Sequence, residues 1–239
     1  MNDFPNIYGF NKSSDAGPDN FSPAIFLGTC NFRCEYCMNA KLVLESHKMN
    51  KINIEDVRKF VKSNNCEWVN ISGGEVTVHS ATKLNNLMSE IKSWGIKVAI
   101  STNGYLPNNL KQVIKLIDYV TMDIKTYGSK HDELLANSKS NSFSKILESL
   151  SILREEKSKR NFDYEVRTTL YRDYVGEEEI IKIGKLLNED ERWMLQPFRH
   201  AKNMISPNAY KILPYKDEEL KSIFELARNI HKNTDMRYV

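Results

Sequence analysis

The sequence predicts an α/β fold in which helices pack outside a parallel sheet. Strand-like and helix-like segments alternate about six times along the 239 residues, a pattern that favours parallel strands joined by helices. Polar or glycine-bearing segments follow several predicted strands, at the edge where α/β proteins build their sites. Hydrophobic residues make up 41% of the chain, an ordinary share for a protein with a core. Six units are too few for a closed eight-stranded barrel, and they suit a partial (βα)6 barrel or an open doubly wound sheet.

The first predicted unit follows a polar stretch. Residues 11–22 are rich in turn-forming residues and predict a loop. Ala24–Gly28 is a short apolar run that fits a buried strand, and residues 53–64 repeat apolar side chains at helical spacing. Asn53 precedes the first helical residues and is the expected N-cap.

The later units repeat the alternation. Gly95 follows the second predicted helix, where a C-cap glycine is expected. In order, the sequence predicts strand Glu67–Ile71, helix Thr82–Trp94, strand Ile96–Ile100, helix Leu110–Leu116, strand Tyr119–Met122, helix Phe143–Glu156, strand Phe162–Leu170, helix Glu177–Leu187, strand Trp193–Gln196 and helix Glu218–Ile230.

The composition predicts one cytoplasmic domain. No linker divides residues 1–239, which we expect to comprise an N-terminal extension at 1–22, a barrel core at about 23–200, and a C-terminal loop and helix at 201–239. The 34 basic and 31 acidic side chains give a net charge of +3, which does not point to nucleic acid. No signal-peptide pattern opens the chain, and no apolar run approaches the ~20 residues that span a bilayer.

Three of the four cysteines fall within eight residues, at Cys30, Cys34 and Cys37. Thiolates on one tight loop can ligate a single iron–sulfur cluster, and three ligands leave one iron open to a substrate, as in catalytic metal centres. The alternative is a structural zinc site, which normally takes four protein ligands. No nearby histidine supplies the fourth, and Cys66 stands alone, as expected of a small core residue.

The spacing CxxxCxxC, with the aromatic Tyr36 before the last cysteine, resembles the signature of the radical S-adenosylmethionine (SAM) superfamily. The resemblance implies a partial (βα)6 barrel of the radical SAM type. It also implies that Cys30, Cys34 and Cys37 ligate three irons of a [4Fe–4S] cluster, that SAM chelates the fourth iron, and that Tyr36 lies beside the adenine. Simple packing of the loop is the alternative role for Tyr36.

Two further segments resemble SAM-binding motifs of this superfamily. Gly73-Gly74-Glu75 follows a predicted strand; its glycines would permit a close approach, and its carboxylate could accept hydrogen bonds from the SAM ammonium group. Ser101, Thr102 and Asn103 end the next strand and could bind the SAM ribose or carboxylate. A plain turn and a helix N-cap are the respective alternatives.

A closer resemblance covers roughly residues 9–200. The segments 122–125, 164–169 and 195–198 are similar to strands of glycyl-radical-enzyme activating proteins, nearest to the anaerobic ribonucleoside-triphosphate reductase activating subgroup. That likeness implies that Asp123, Lys125 and Arg167 lie around SAM, although Asp123 and Lys125 alone would fit a surface ion pair. Met38 stands where these activating proteins commonly carry histidine.

The resemblance implies reductive cleavage of SAM to a 5′-deoxyadenosyl radical, with the electron supplied by a flavodoxin- or ferredoxin-type donor. In an activating protein that radical takes a hydrogen atom from a glycine of a partner enzyme, such as an anaerobic ribonucleotide reductase, and anaerobic conditions are expected. Only Cys66 remains beside the cluster cysteines, which leaves no thiols for a second cluster. Two alternatives stay open: a single-cluster enzyme acting on a small molecule, similar to 7-carboxy-7-deazaguanine synthases, and a non-catalytic metal-binding protein.

Overall fold

A computed structural model describes residues 3–14, 22–134 and 141–238, with the backbone alone for residues 13 and 14. Its strands form one eight-stranded sheet in chain order. The first pair is antiparallel, and every later neighbouring pair is parallel. The strands are β1 (Ile7–Ser14), β2 (Ser22–Leu27), β3 (Trp68–Gly73), β4 (Lys97–Thr102), β5 (Tyr119–Asp123), β6 (Asp163–Leu170), β7 (Arg192–Pro197) and β8 (Thr234–Met236).

Helices connect the parallel strands, as the alternation predicts. Asn53 caps the second helix by accepting a hydrogen bond from the backbone N–H of Glu55 at 3.0 Å, and Gly95 has the left-handed φ of +80° expected after the third. The helices are α1 (Ala40–Glu45), α2 (Ile54–Ser63), α3 (Ala81–Ser93), α4 (Pro107–Val113), α5 (Ser142–Lys159), α6 (Glu177–Leu186) and α7 (Asp217–Ile230).

The α/β architecture with a partial barrel is confirmed. The strands β2 to β7 are the six predicted parallel strands, and each begins and ends within a few residues of its expected bounds. In the described part of the chain β1 and β8 do not pair with one another, so the barrel stays open between them. No helix of the described residues is both long enough and apolar enough to cross a membrane.

The expected loop at residues 11–22 is wrong at both ends. Asn11–Ser14 continue β1 and pair with β2, and Ser22 already belongs to β2; residues 15–21 lie outside the described residues. An edge strand can be polar because its hydrogen bonds come from backbone groups. The short elements α1 and β8 were also not predicted, since six and three residues are too few to show a periodicity.

Strand order places the predicted motifs together. The carboxyl ends of parallel strands share one edge of the sheet. The cysteine loop follows β2, Gly73 ends β3 with Gly74 directly after it, Ser101 and Thr102 end β4, and Asp123 ends β5. The strand interiors are apolar, and all five residues of β5 are buried. This packed core fixes where each strand ends, and so where the polar side chains lie.

Candidate active site

The cysteine loop, residues 30–37, is folded by its own hydrogen bonds. One nitrogen of the Arg33 guanidinium donates to the carbonyl oxygens of Cys30 at 2.7 Å and Phe32 at 2.8 Å. The backbone N–H of Cys37 donates to the carbonyl of Cys34 at 3.0 Å, closing a turn between two of the cysteines. The loop therefore has a defined shape before any ligand is considered.

Neighbouring segments hold the cysteine loop from two sides. On one side, the backbone N–H of Arg33 donates to the carbonyl of Leu134 at 2.7 Å. On the other, the backbone N–H groups of Ile205 and Ser206 donate to the carbonyls of Cys37 and Glu35, each at 3.1 Å. The loop is thus supported by a segment that follows β5 and by one that follows β7.

Cys34 is buried, and Cys30 and Cys37 are half-buried. Burial raises the pKa of Cys30 to about 12 and that of Cys34 to about 11, and it also raises the pKa of Cys37. Without a metal these side chains are neutral thiols, because burial disfavours the charged form. Iron binding requires thiolates and so releases their protons. Cluster assembly on this loop should therefore depend on pH.

The donor set fits a cluster better than a single ion. Within the described residues, no three His, Cys, Asp or Glu side chains converge closely enough to hold one metal ion. A cubane cluster makes a different demand, since each thiolate binds a separate iron. Cys30, Cys34 and Cys37 line the same cavity, and the buried Tyr36 hydroxyl, which also lines it, has no hydrogen-bond partner. These residues fit a [4Fe–4S] cluster with a ligand beside it.

The glycine pair after β3 is required by the protein backbone itself. A Cβ atom on Gly74 would lie 1.7 Å from the carbonyl oxygen of Thr29. The close approach allows the backbone N–H of Gly74 to donate to Leu27 and that of Glu75 to Thr29, both at 2.9 Å. Thr29 itself has a left-handed φ of +62°, which a β-branched residue rarely adopts. Gly74 thus fixes the start of the cysteine loop, and both glycines line the cavity.

The carboxylate of Glu75 joins the ends of β3 and β4. Its Oε1 accepts from the hydroxyls of Thr77 and Thr102, each at 2.6 Å, and from the backbone N–H of Thr77 at 2.9 Å. Its Oε2 accepts from the backbone N–H of Asn103 at 2.6 Å. The side chain is buried, with 2% of the residue exposed. Glu75 therefore organises neighbouring site residues in addition to facing the cavity.

The end of β4 reaches across to the cysteine loop. The Asn103 amide nitrogen donates to the Asn31 side chain at 2.8 Å and approaches the Cys30 sulfur at 3.8 Å. Ser101 accepts from Asn70 at 3.4 Å. An amide donor beside a cysteine sulfur is suited to a ligated thiolate, which accepts hydrogen bonds. This contact was not expected from the sequence.

A buried charge cluster lies at the ends of β5 and β6. The Arg167 guanidinium contacts the Asp123 carboxylate at 2.7 and 3.2 Å, and the Lys125 ammonium contacts it at 2.9 Å. Burial tends to raise the pKa of Asp123, but the two cations outweigh it and hold that pKa well below its ordinary range. Two cations for one anion leave net positive charge at the cavity wall, which suits an anionic ligand group such as a carboxylate.

The aromatic ring of Tyr36 packs within a cluster of rings that includes the loop after β6. The Tyr36 and Tyr171 ring centroids lie 4.7 Å apart, and Phe198 lies 6.2 Å from Tyr36. Burial raises the pKa of Tyr36, so its hydroxyl keeps its proton. Loop packing and a place beside a ligand are therefore both consistent with its position.

All the residues singled out from the sequence line one cavity of about 400 Å³, within the usual range for small-molecule sites. They are Cys30, Cys34, Tyr36, Cys37, Gly73, Gly74, Glu75, Ser101, Thr102, Asn103, Asp123, Lys125 and Arg167. The structure brings them together, while their individual roles remain predictions.

Several other lining residues were missed. Thr169 lies two positions after Arg167 on β6, so the alternation of a strand could have revealed it. Gln196 lies in segment 195–198, which carried a family likeness but no expected role, and Asn11, Arg199 and Arg237 carry no local signal. Arg237 follows β8 and forms a buried pair with Glu165, with nitrogen–oxygen distances of 2.9 and 3.1 Å. Only the tertiary fold brings these side chains to the cavity.

The fold is an open α/β barrel whose cavity, at the carboxyl edge of the parallel strands, holds the three cysteines. The chain belongs to the radical SAM superfamily, whose family model matches residues 24–187. It is therefore a radical SAM enzyme, and the family implies a [4Fe–4S] cluster and SAM.

Two proteins of Methanocaldococcus jannaschii, provisionally named glycyl-radical enzyme activating enzymes, are similar to this chain. One is 29% identical over 226 residues, covering 93% of this chain and 91% of the relative. The other is 28% identical over 203 residues, covering 83% and 76%.

A solved structure shows the same fold. The crystal structure of Streptococcus suis SuiB bound to S-adenosylmethionine superposes with a TM-score of 0.60 at 18% identity. The superposition covers 88% of this chain and 48% of the SuiB chain, so this chain spans about half of that protein.

Proposed function

We propose that this protein is an activating enzyme that installs a glycyl radical on a partner enzyme, such as an anaerobic ribonucleotide reductase. The observation that carries the proposal is the 29% identity to a provisionally named activating enzyme over 93% of this chain and 91% of that relative. A match over nearly the full length of both proteins extends beyond the cluster and SAM motifs.

In this proposal the chain's residues divide into three groups. Cys30, Cys34 and Cys37 hold the cluster. Gly73, Gly74, Glu75, Ser101, Thr102 and Asn103 would line the part of the cavity that takes SAM, with Tyr36 beside it. Asp123, Lys125 and Arg167 orient SAM through their charges.

When bound and reduced by one electron from an external donor, the cluster would supply that electron to SAM, whose carbon–sulfur bond would break to give methionine and a 5′-deoxyadenosyl radical. The protein's contribution is to hold SAM in one orientation and to exclude water from the buried wall of the cavity. Transfer of a hydrogen atom from a glycine Cα of the partner to this radical would give 5′-deoxyadenosine and the glycyl radical. Each activation would therefore consume one electron from the donor and one molecule of SAM.

The core chemistry is tested without the partner. Protein reconstituted anaerobically with iron and sulfide should form 5′-deoxyadenosine from SAM when dithionite is added. Cys34→Ala should abolish this, because it removes one of three cluster ligands, whereas Cys66→Ala should retain it. Equal activity in the two variants would refute the assignment of the cluster loop.

The activating step needs a candidate glycyl radical enzyme encoded beside this gene. Mixing it with reconstituted protein, SAM and reductant should produce the electron paramagnetic resonance signal of a glycyl radical. Abundant 5′-deoxyadenosine without that signal, together with turnover of a small molecule, would overturn the activating role and leave the radical SAM chemistry standing.

A further inference from the structure

The side chain of Asn103 is held in one orientation by the protein around it. The residue is 4% exposed, and its backbone N–H donates to Glu75 Oε2 at 2.6 Å. Its Oδ1 accepts from the backbone N–H of Tyr105 at 3.0 Å, and its Nδ2 donates to Asn31 Oδ1 at 2.8 Å. Exchanging the two amide atoms would oppose two donors at one end and two acceptors at the other. The nitrogen therefore faces the cysteine loop.

The Cys30 sulfur accepts from two N–H groups. The Asn103 amide nitrogen donates to it at 3.8 Å and the backbone N–H of Phe32 at 3.3 Å. An amide nitrogen carries two hydrogens, so it can donate to a second acceptor at the same time. In the part of the chain that the structure describes, no side chain donates to the sulfur of Cys34 or Cys37. A side-chain donor therefore distinguishes Cys30 from the other two cysteines.

Loss of the Cys30 thiol proton should strengthen the contact with Asn103. In the metal-free protein the thiol itself donates to Asn31 Oδ1 at 3.8 Å. Iron binding removes that proton and leaves a sulfur that only accepts hydrogen bonds. The Asn31 oxygen still holds the Asn103 amide in place. Because hydrogen bonds to charged acceptors are stronger than those to neutral ones, the contact gains strength when a cluster binds.

Asn31 and Asn103 together have one more donor than the metal-free site uses. Asn31 Nδ2 is buried and has no hydrogen-bond partner among the described residues. Buried polar groups are nearly always paired, so an unpaired one suits a site that takes up a further acceptor. A cluster on the cysteine loop brings such acceptors, because its sulfur atoms accept hydrogen bonds. Both amides are therefore arranged for a cluster beside them.

We propose that the Asn103 amide raises the reduction potential of the cluster through the Cys30 sulfur, and that it acts on the cluster rather than on SAM. This inference rests on the cluster that the proposed function requires. Reduction by one electron adds negative charge to the cluster and its thiolates, so an N–H donor stabilises the reduced form more than the oxidised form. The amide thus makes the cluster easier to reduce.

The test compares Asn103→Ala with Asn39→Ala. Asn39 also lines the cavity, but its exposed side chain donates to the carbonyl oxygen of Gly73 at 3.3 Å. Each protein is reconstituted anaerobically with iron and sulfide, and the midpoint potential is measured without SAM in a dye-mediated titration followed by electron paramagnetic resonance. Pulsed measurements in D2O then record the exchangeable deuterons coupled to the reduced cluster.

We expect Asn103→Ala to shift the midpoint potential to a more negative value. At a fixed applied potential, the ratio of reduced to oxidised cluster should fall roughly fivefold, which is part of the energy of a hydrogen bond to a charged group. The variant should also lose the deuteron coupling of the amide. Asn39→Ala should match the wild type in both measurements. An unchanged potential in Asn103→Ala, or an equal shift in Asn39→Ala, would overturn the proposal.

A second pair of variants applies if Asn103→Ala does not hold a cluster. Asn103→Asp keeps the shape of the side chain and the acceptor for the Tyr105 N–H, but it replaces the donor with a negative oxygen. Its midpoint potential should lie below that of Asn39→Asp, which adds the same charge at an exposed position. Equal potentials in these two variants would contradict the proposed contact.

Binding of SAM separates this role from the one expected from the sequence. A normal potential in Asn103→Ala together with weaker SAM binding in titration calorimetry would overturn the proposal and assign the amide to SAM. A wild-type protein that forms no reducible cluster with dithionite would instead refute the proposed function.

Discussion

At the scale of single residues, the charge of Asp123 decides whether two buried cations are tolerated. Its side chain is 12% exposed and those of Lys125 and Arg167 are 15% and 16% exposed. Removing one partner of a buried ion pair leaves an uncompensated charge and is strongly destabilising. The three residues therefore stabilise the fold as well as shaping the cavity.

We expect Asp123→Asn to lower the free energy of unfolding by about 3 kcal/mol, because it leaves both cations without their carboxylate. Urea denaturation of the cluster-free protein at pH 7 measures the change. The matched control is Asp163→Asn, whose carboxylate pairs with Lys157 but is 63% exposed; it should lose less than about 1 kcal/mol. Similar losses in the two variants would contradict the role of burial.

The Asp123 carboxylate should also make the stability of the protein depend on pH in the acidic range. The pKa of Asp123 lies below its ordinary value because Arg167 and Lys125 outweigh the effect of burial. Asp123 therefore stays ionised in the folded protein at a pH where it is already protonated in the unfolded chain. Its contribution to the free energy of unfolding is complete at neutral pH and declines below about pH 4. The difference in stability between the wild type and Asp123→Asn should narrow as pH falls through that range.

At the scale of elements, the end of β3 and the start of the cysteine loop are locked by contact between backbones. A Cβ on Gly74 would meet the Thr29 carbonyl at 1.7 Å, whereas Gly95 has nothing within 4 Å of the same position and needs glycine only for its φ of +80°. A comparison of Gly74 with Gly95 therefore separates the effect of a steric contact from the effect of backbone conformation.

Gly95→Ala should cost about 1 kcal/mol, the usual penalty for a left-handed residue with a side chain, and should leave cluster loading intact. Gly74→Ala must displace the backbone at Thr29, next to Cys30, so we expect a larger loss of stability and fewer irons bound per chain after reconstitution. Thermal unfolding and iron analysis measure the two effects. Full cluster loading in Gly74→Ala would show that the loop adjusts without disturbing the cysteines.

Helices and strands with a clear pattern of apolar residues could be predicted from the sequence, whereas short or polar elements could not. The buried strand Tyr119–Asp123 and helix α3 show the apolar patterns on which such inference depends. The polar end of β1 has no such pattern, because its pairing is determined by the backbone of β2. Site residues at strand ends were recognised by motif, while Asn103's contact with Asn31 depends on the folded loop.

At the scale of the whole molecule, the last strand connects the chain's C-terminal part to the barrel interior. Arg237 follows β8, and its guanidinium binds both carboxylate oxygens of Glu165 on β6. Glu165 is fully buried and also accepts from the hydroxyls of Tyr119 at 3.2 Å and Thr121 at 3.3 Å. A side chain near the end of the chain thus neutralises a charge in the interior of the barrel, beside the cavity.

Arg237→Gln should therefore destabilise the whole fold by about 3 kcal/mol, because it leaves the Glu165 carboxylate buried without its cation. Arg58→Gln, which breaks an exposed pair with Glu55 at 3.6 Å, should change stability by less than about 0.5 kcal/mol. Adding Glu165→Gln to Arg237→Gln removes the stranded charge, so the double variant should lose less than the sum of the single losses. Strictly additive losses in urea denaturation would show that the pair contributes only through packing, and that the barrel does not depend on its C-terminal strand for charge balance.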